Sequence, residues 1–163
     1  MGEILYEFGE WLETTPWSAA MSWTDWMFPV VAAFHYFSVF LLMGTVVAFH
    51  ARVLGLSGRR QPITQVANEI FPWLWTGLGA ALVTGFLMFS PGAGELFLTA
   101  YFLPKLFLIA LGIGAVVAVR RNVHRWDQPA GIPATAKLAA FIALAVWIIA
   151  LLFSIQVGPF VAE

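Results

Sequence analysis

The sequence predicts an all-α membrane protein: a four-helix bundle crossing the bilayer, preceded by a short amphipathic helix at its surface. Three observations predict it. Of the 163 residues, 61% are hydrophobic and only 10% charged, whereas soluble domains carry roughly a quarter charged residues. Four apolar stretches each approach the roughly 20 residues that span a hydrocarbon core as a helix. Basic residues gather in two of the connections between these stretches, and tryptophans gather near stretch ends, the distribution that charge bias and aromatic belts produce at membrane surfaces.

The opening helix is expected over residues 3–14. There Glu3, Glu7 and Glu10 alternate with Ile4, Leu5, Phe8, Trp11 and Leu12 at helical spacing before Pro16, the pattern of a helix lying in the interface. No basic residue precedes it, so it reads as part of the mature chain rather than a signal peptide. The first span covers residues 26–50 and runs on to Arg52, Arg59 and Arg60. The second covers 70–89, opened by Asn68 and Glu69 and closed by Ser90-Pro91-Gly92-Ala93-Gly94, with Glu69 expected to favour the helix start through the macrodipole. Its Gly77, Ala81 and Gly85 share one face, which lets another helix backbone come close. The third covers 102–119 and leads into Arg120, Arg121, His124 and Arg125; the fourth covers 136–157 and stops before Gly158-Pro159. Together they make one transmembrane domain over residues 1–163.

Charge sets the expected orientation. Arg52, Arg59 and Arg60 mark the first connection, Arg120, Arg121, Arg125 and Lys137 the third, and only Lys105 the second. The first and third connections are therefore expected in the cytoplasm and both termini on the outer, periplasmic side. Trp17, Trp23 and Trp26 fit an outer belt, and Trp73, Trp75 and Trp126 an inner one.

The absence of cysteine excludes disulfides, thiolate metal sites and a cysteine nucleophile. No phosphate-binding loop, zinc-protease or nucleophile-elbow motif occurs. With no basic stripe beyond the membrane-flanking segments, nucleic acid is not an expected partner. The bilayer is.

His35 is the first candidate for chemistry. It lies nine residues into the first span, roughly 13 Å along the helix, and an intramembrane imidazole faces either a partner or a site. It is read as a haem or metal ligand, or else as a neutral histidine bonded across the bundle to Ser38, Thr76 or Thr84. His50 follows fifteen residues on, roughly 22 Å along the axis and about 60° round the helix. That spacing resembles the paired haem ligands of di-haem b-type cytochromes, yet no other span carries a histidine, so two bis-histidine haems are not expected. His50 is read as a solvated end residue or a second cofactor-binding position, and His124 as solvated among arginines. Lys105, after Pro104 at the outer start of the third span, either snorkels to the headgroups or turns inward as a neutral second axial ligand. Met43 and Met88 are read as apolar filling, with thioether ligation a minor alternative.

The chain resembles a family of small bacterial four-helix membrane proteins classed only as a domain of unknown function. The likeness rests on Glu10-Trp11-Leu12-Glu13, on Trp26-Met27-Phe28-Pro29 leading to His35, on Gly44 and Arg52-Val53-Leu54-Gly55, and on Phe71-Pro72-Trp73-Leu74-Trp75-Thr76-Gly77. It covers almost the whole chain. Where that family often has an acid shortly before the histidine, this chain has Ala32 and Ala33; where it often has a late third-helix histidine, this chain has Val119 and Arg120. More distantly, the segment from His35 to Gly44 and Pro104-Lys105-Leu106 resemble the copper-resistance CopD proteins and the HemJ-type protoporphyrinogen oxidases. That likeness implies a bacterial inner-membrane protein with a haem or metal site near His35 and Lys105.

The expected function is membrane electron transfer through a haem b held by His35, with Lys105 and His50 as further cofactor-binding positions and a quinone or respiratory protein as partner. The alternative is a non-catalytic accessory subunit, packed by its glycine faces into a homo-oligomer or a larger membrane complex. A third reading is metal-ion or small-solute handling, with His35, His50 and the methionines as waypoints.

Overall fold

The computed structural model describes residues 2–57, 61–127 and 131–157. Its helices are α1 (Gly2–Glu13), α2 (Pro16–Trp23), α3 (Met27–Leu54), α4 (Ile63–Phe89), a 3-10 turn (Ser90–Gly92), α5 (Ala93–Leu98), α6 (Phe102–Trp126) and α7 (Ala134–Val157). No strand occurs among the described residues. Four stretches are long and apolar enough to cross a membrane: Met27–Leu54, Ile63–Leu98, Phe102–Trp126 and Ala134–Ile155. The all-α class, the four apolar helices and the short helix at the start are as the sequence predicts.

The helix ends differ from expectation at the arginine-bearing end. There α3 runs on to Leu54, α4 begins at Ile63 instead of residue 70, and α6 continues through Arg120, Arg121 and Arg125 to Trp126. Hydropathy marks where hydrocarbon stops, but a helix continues until something ends it. For α3 that is Gly55, whose φ of 81° is left-handed; its N–H bonds the Arg52 carbonyl and the Leu56 N–H bonds that of Ala51, the Schellman closure. Arg59 and Arg60, the middle of the loop at 128–130, and Gly158-Pro159 lie outside the described residues.

The early start of α4 also changes its cap. Glu69 sits inside the helix, where its Oε1 accepts from Gln65 Nε2 at 3.1 Å. Asp127, just beyond α6, takes the role expected of Glu69. Its Oδ1 accepts the Ile63 N–H at 2.9 Å and its Oδ2 the Thr64 N–H at 3.1 Å, with the Thr64 hydroxyl also donating to Oδ2. Loss of solvent opposes ionisation there, but the hydrogen bonds from the Thr64 hydroxyl and the two N–H groups outweigh it and hold the carboxyl below its usual value. Its contribution to stability is thus present above the unfolded carboxyl pKa, roughly 3.9, and is lost as pH falls through the lower folded value. Asp127→Ala is expected to cost about 1–2 kcal/mol at neutral pH and to flatten the acid side of the stability curve. Thermal unfolding in detergent at pH 7 and across the acid range checks both.

At the opposite end, α1, α2, the 3-10 turn and α5 form a cap. The expected surface helix turns Gly9 and Leu12 inward and leaves Glu3, Glu7 and Glu10 exposed. Gly9 lies so close to α5 that a Cβ there would meet Gly94 N, and would stand 2.5 Å from Gly94 Cα. The Gly94 N–H donates to Glu13 Oε1 at 2.9 Å, and Phe8 meets Phe97 at 6.3 Å between centroids. The opening helix ends at Glu13, before Pro16, as the sequence predicts. The sequence points to a loop at 90–94; instead a 3-10 turn and α5 follow, and Pro91, like Pro16 at the start of α2, sits in a first helical turn, where a missing N–H costs nothing.

Within the bundle α3 and α4 pack most closely. A Cβ on Gly77 would lie 2.9 Å from Leu42 N and 3.2 Å from Ser38 O, so the small face does bring two backbones together. The main core, built on Val46, Phe49, Leu74, Val116, Val123 and Trp147, fills the arginine-bearing half. Phe49 meets Phe71 edge to face at 5.1 Å.

Candidate functional site

Above that core, toward the cap, the four long helices part around a pocket with about 490 Å³ of empty space, counting its open side. His35, Val39 and Met43 line it from α3, Leu78, Ala81 and Leu82 from α4, Lys105 and Ile109 from α6, and Trp147, Leu151 and Ser154 from α7. No carboxylate among the described residues lines it. Two candidates seventy residues apart, His35 and Lys105, meet in one pocket.

Hydrogen bonds set the state of His35. Its Nδ1 lies 2.9 Å from Thr84 Oγ1. The Thr84 hydroxyl hydrogen is directed to the Ala80 carbonyl at 2.6 Å, so the threonine oxygen accepts and His35 Nδ1 donates. The lone pair then resides on Nε2, the arrangement that orients an imidazole for ligation through its second nitrogen. Gly85 makes room for the ring: a Cβ there would stand 3.1 Å from His35 Cε1. Of the three partners the sequence offered, Thr84 is the one used. Ser38 bonds the Phe34 carbonyl and Thr76 that of Pro72.

The third candidate is elsewhere. His50 is 1% exposed and does not line the pocket. Its Nδ1 donates to the Val46 carbonyl at 2.7 Å, its ring meets Phe49 at a right angle, and its Nε2 has no partner among the described residues. The expectation of a solvated residue at the helix end is therefore wrong for His50, because α3 extends past it and seats it in the core. His124 is exposed as expected. Met43 lines the pocket and Met88 does not. No cluster of three or more metal-ligating side chains occurs among the described residues.

Trp147 is 3% exposed, lines the pocket, and carries a buried indole N–H with no acceptor among the described residues. The ring packs on Gly112 of α6, where a Cβ would stand 2.8 Å from Trp147 Cε2, so the glycine gives the indole its place between α6 and α7.

Residues 8–158 match a family described as a family of unknown function, DUF6644. The chain belongs to this family. No curated protein and no solved structure matches the chain. All the pocket residues fall within the part that matches DUF6644. So do Thr84 and Gly85, which hold His35 in place.

Sequence reasoning missed Trp147 and Ser154. A signal was available for Trp147: it stands in the middle of the fourth span, away from either belt, where an indole N–H must find a partner inside the protein. Ser154 gave none, since its hydroxyl bonds the Ala150 carbonyl of its own helix, as serines in membrane helices commonly do.

Proposed function

We propose that this chain is a membrane electron-transfer component that holds haem b against His35. One observation carries the reading: an imidazole held through Nδ1 by Thr84 and an amine, from facing helices, share an apolar pocket inside a membrane bundle. The donor set fits the group, since neutral imidazole is the commonest protein ligand of haem iron. Haem b supplies a one-electron couple that no side chain here can provide.

The chain's own residues do the rest. Thr84 fixes the His35 tautomer and ring direction, Gly85 leaves space for the ring, and Val39, Leu82 and Ile109 keep water away. Lys105, deprived of solvent, offers its nitrogen from the opposite helix when neutral. The arginine-bearing end faces the cytoplasm in this reading, which puts the pocket toward the outer leaflet. The likeness of the segments around His35 and Lys105 to CopD and HemJ-type proteins points the same way.

Visible spectra of the detergent-purified protein, oxidised and then reduced with dithionite, test the proposal. A Soret band is expected, lost in His35→Ala and shifted in Thr84→Val, with Thr84→Ser restoring it. Protein without a Soret band, or an unchanged band in His35→Ala, sinks it.

A further inference from the structure

In the half of the bundle toward the cap, Lys105 stands apart from the other basic side chains. Arg52, Arg120, Arg121, Arg125 and Lys137 lie at the opposite end of their helices. A lysine at the end of a span ordinarily sends its amine out to the headgroups. Lys105 instead is half-buried and lines the pocket, and its charge reaches the His35 ring on α3. The amine is thus on the pocket side of α6. Among the described residues no hydrogen-bond acceptor pairs with it, and no carboxylate acts on it, those of the cap included.

The wall around that amine holds bases and hydrocarbon. His35 is neutral, with its Nδ1–H committed to Thr84, and the Ser154 hydroxyl bonds the Ala150 carbonyl of its own helix. Val39, Leu82, Ile109 and Leu151 make the surface apolar, and no carboxylate among the described residues lines it. A lone ammonium is strongly disfavoured in such surroundings. The amine is therefore either neutral or balanced by an anion that the wall does not provide. Leu82 is both wall and outer surface, 46% exposed on a membrane-spanning helix. The pocket is one side chain away from lipid hydrocarbon.

We propose that the pocket binds a long-chain fatty acid, which arrives from the bilayer uncharged and pairs, as a carboxylate, with the ammonium of Lys105. On binding, the acid's O–H bond breaks and an N–H bond forms on Lys105; no electron is transferred, and the pair carries no net charge. The wall selects this class. A base without a counter-ion calls for an acid, and apolar sides call for a hydrocarbon tail. Approach through lipid favours a head that can travel neutral, as a carboxylic acid does in apolar surroundings. The inference goes beyond the haem reading and does not rest on it: the acid takes up the lone pair that Lys105 would offer to iron, so the two exclude each other at that nitrogen.

The test uses the full chain in phosphatidylcholine nanodiscs with palmitic acid isotopically labelled at its carboxyl carbon and observed by NMR. A bound resonance at the position of an ionised carboxylate is expected, distinct from that of acid in the lipid. Excess unlabelled palmitic acid should displace it, and excess methyl palmitate, which has no proton to give, should not. Lys105→Met should weaken binding about tenfold, the loss of one charge-assisted contact, while Lys105→Arg, which keeps a positive head, retains most of it. Phe107→Leu, on the exposed face of α6, should change nothing. A bound resonance at the protonated position overturns the ion pair. No bound resonance, displacement by methyl palmitate, or unchanged binding in Lys105→Met overturns the site. Loss of the signal when phosphatidylglycerol replaces phosphatidylcholine assigns the amine to lipid phosphate and overturns the fatty acid. A displaceable carboxylate without a Soret band removes the haem and leaves this inference standing; a Soret band without a displaceable carboxylate does the reverse.

Discussion

Gly77→Leu is expected to abolish the folded bundle in mild detergent, while Gly79→Leu, two residues along the same helix, leaves it intact. At Gly77 a Cβ would stand 2.9 Å from Leu42 N, 3.2 Å from Leu42 Cα and 3.2 Å from Ser38 O. These are backbone atoms of α3, which cannot step aside as a flexible side chain can. The helices must separate, and every contact along their interface weakens together. Overpacking a close interface costs about 1–3 kcal/mol when side chains can adjust, and the cost here lies at or beyond the upper figure. At Gly79 a Cβ meets nothing within 4 Å. There the change should be neutral, or stabilising by about 0.5–1 kcal/mol through helix propensity. Thermal unfolding followed by circular dichroism and size exclusion separates the two variants. Since Gly85 and Thr84 belong to the same interface, Gly77→Leu should also release His35.

Long-range and local signals explain what could be read in advance. The four spans were legible because burial in lipid demands long apolar runs whatever the neighbours are. Their ends were not, since Gln65, Asn68 and Arg120 are acceptable in a helix that projects beyond the hydrocarbon. The cap of α4 was hidden for another reason: Asp127 comes from a segment more than sixty residues away, and no local pattern links it to Ile63. Helix α5 was obscured by a Gly94 that looks like a breaker. Its real constraint is the passage of Gly9 across it.

At the site, counting residues along each span places His35 and Lys105 in the same half of the membrane, His35 about 9 Å deeper, and the fold brings them into one pocket. The α3–α4 crossing decides the rest: Gly77 meets Ser38 and Leu42 while Gly85 meets His35, so Thr84 lies beside the imidazole and Thr76 roughly 12 Å further along α4. His50 shows the opposite failure. An early estimate of where α3 stops made a core residue look like an end residue, whereas four further residues, 51–54, carry the helix past it.

Gly9→Ala is expected to detach the cap while leaving the bundle and its pocket in place. A Cβ at Gly9 would press on Gly94 N, stand 2.5 Å from Gly94 Cα and lie 2.7 Å from the Ala93 carbonyl carbon. No side-chain motion relieves that contact, so α1 must lift from α5, breaking the Glu13–Gly94 hydrogen bond and the Phe8–Phe97 contact. The cost, about 2–3 kcal/mol, falls on the α1–α5 contact, because the Gly77 crossing and the core below lie elsewhere. Limited proteolysis should therefore cut between α1 and α3 several-fold faster, with the unfolding temperature of the bundle unchanged. The Phe89–Phe102 stack joins α4 to α6 without α1, so the pocket keeps its frame, and the Soret band expected of the His35 site should match that of the unaltered chain.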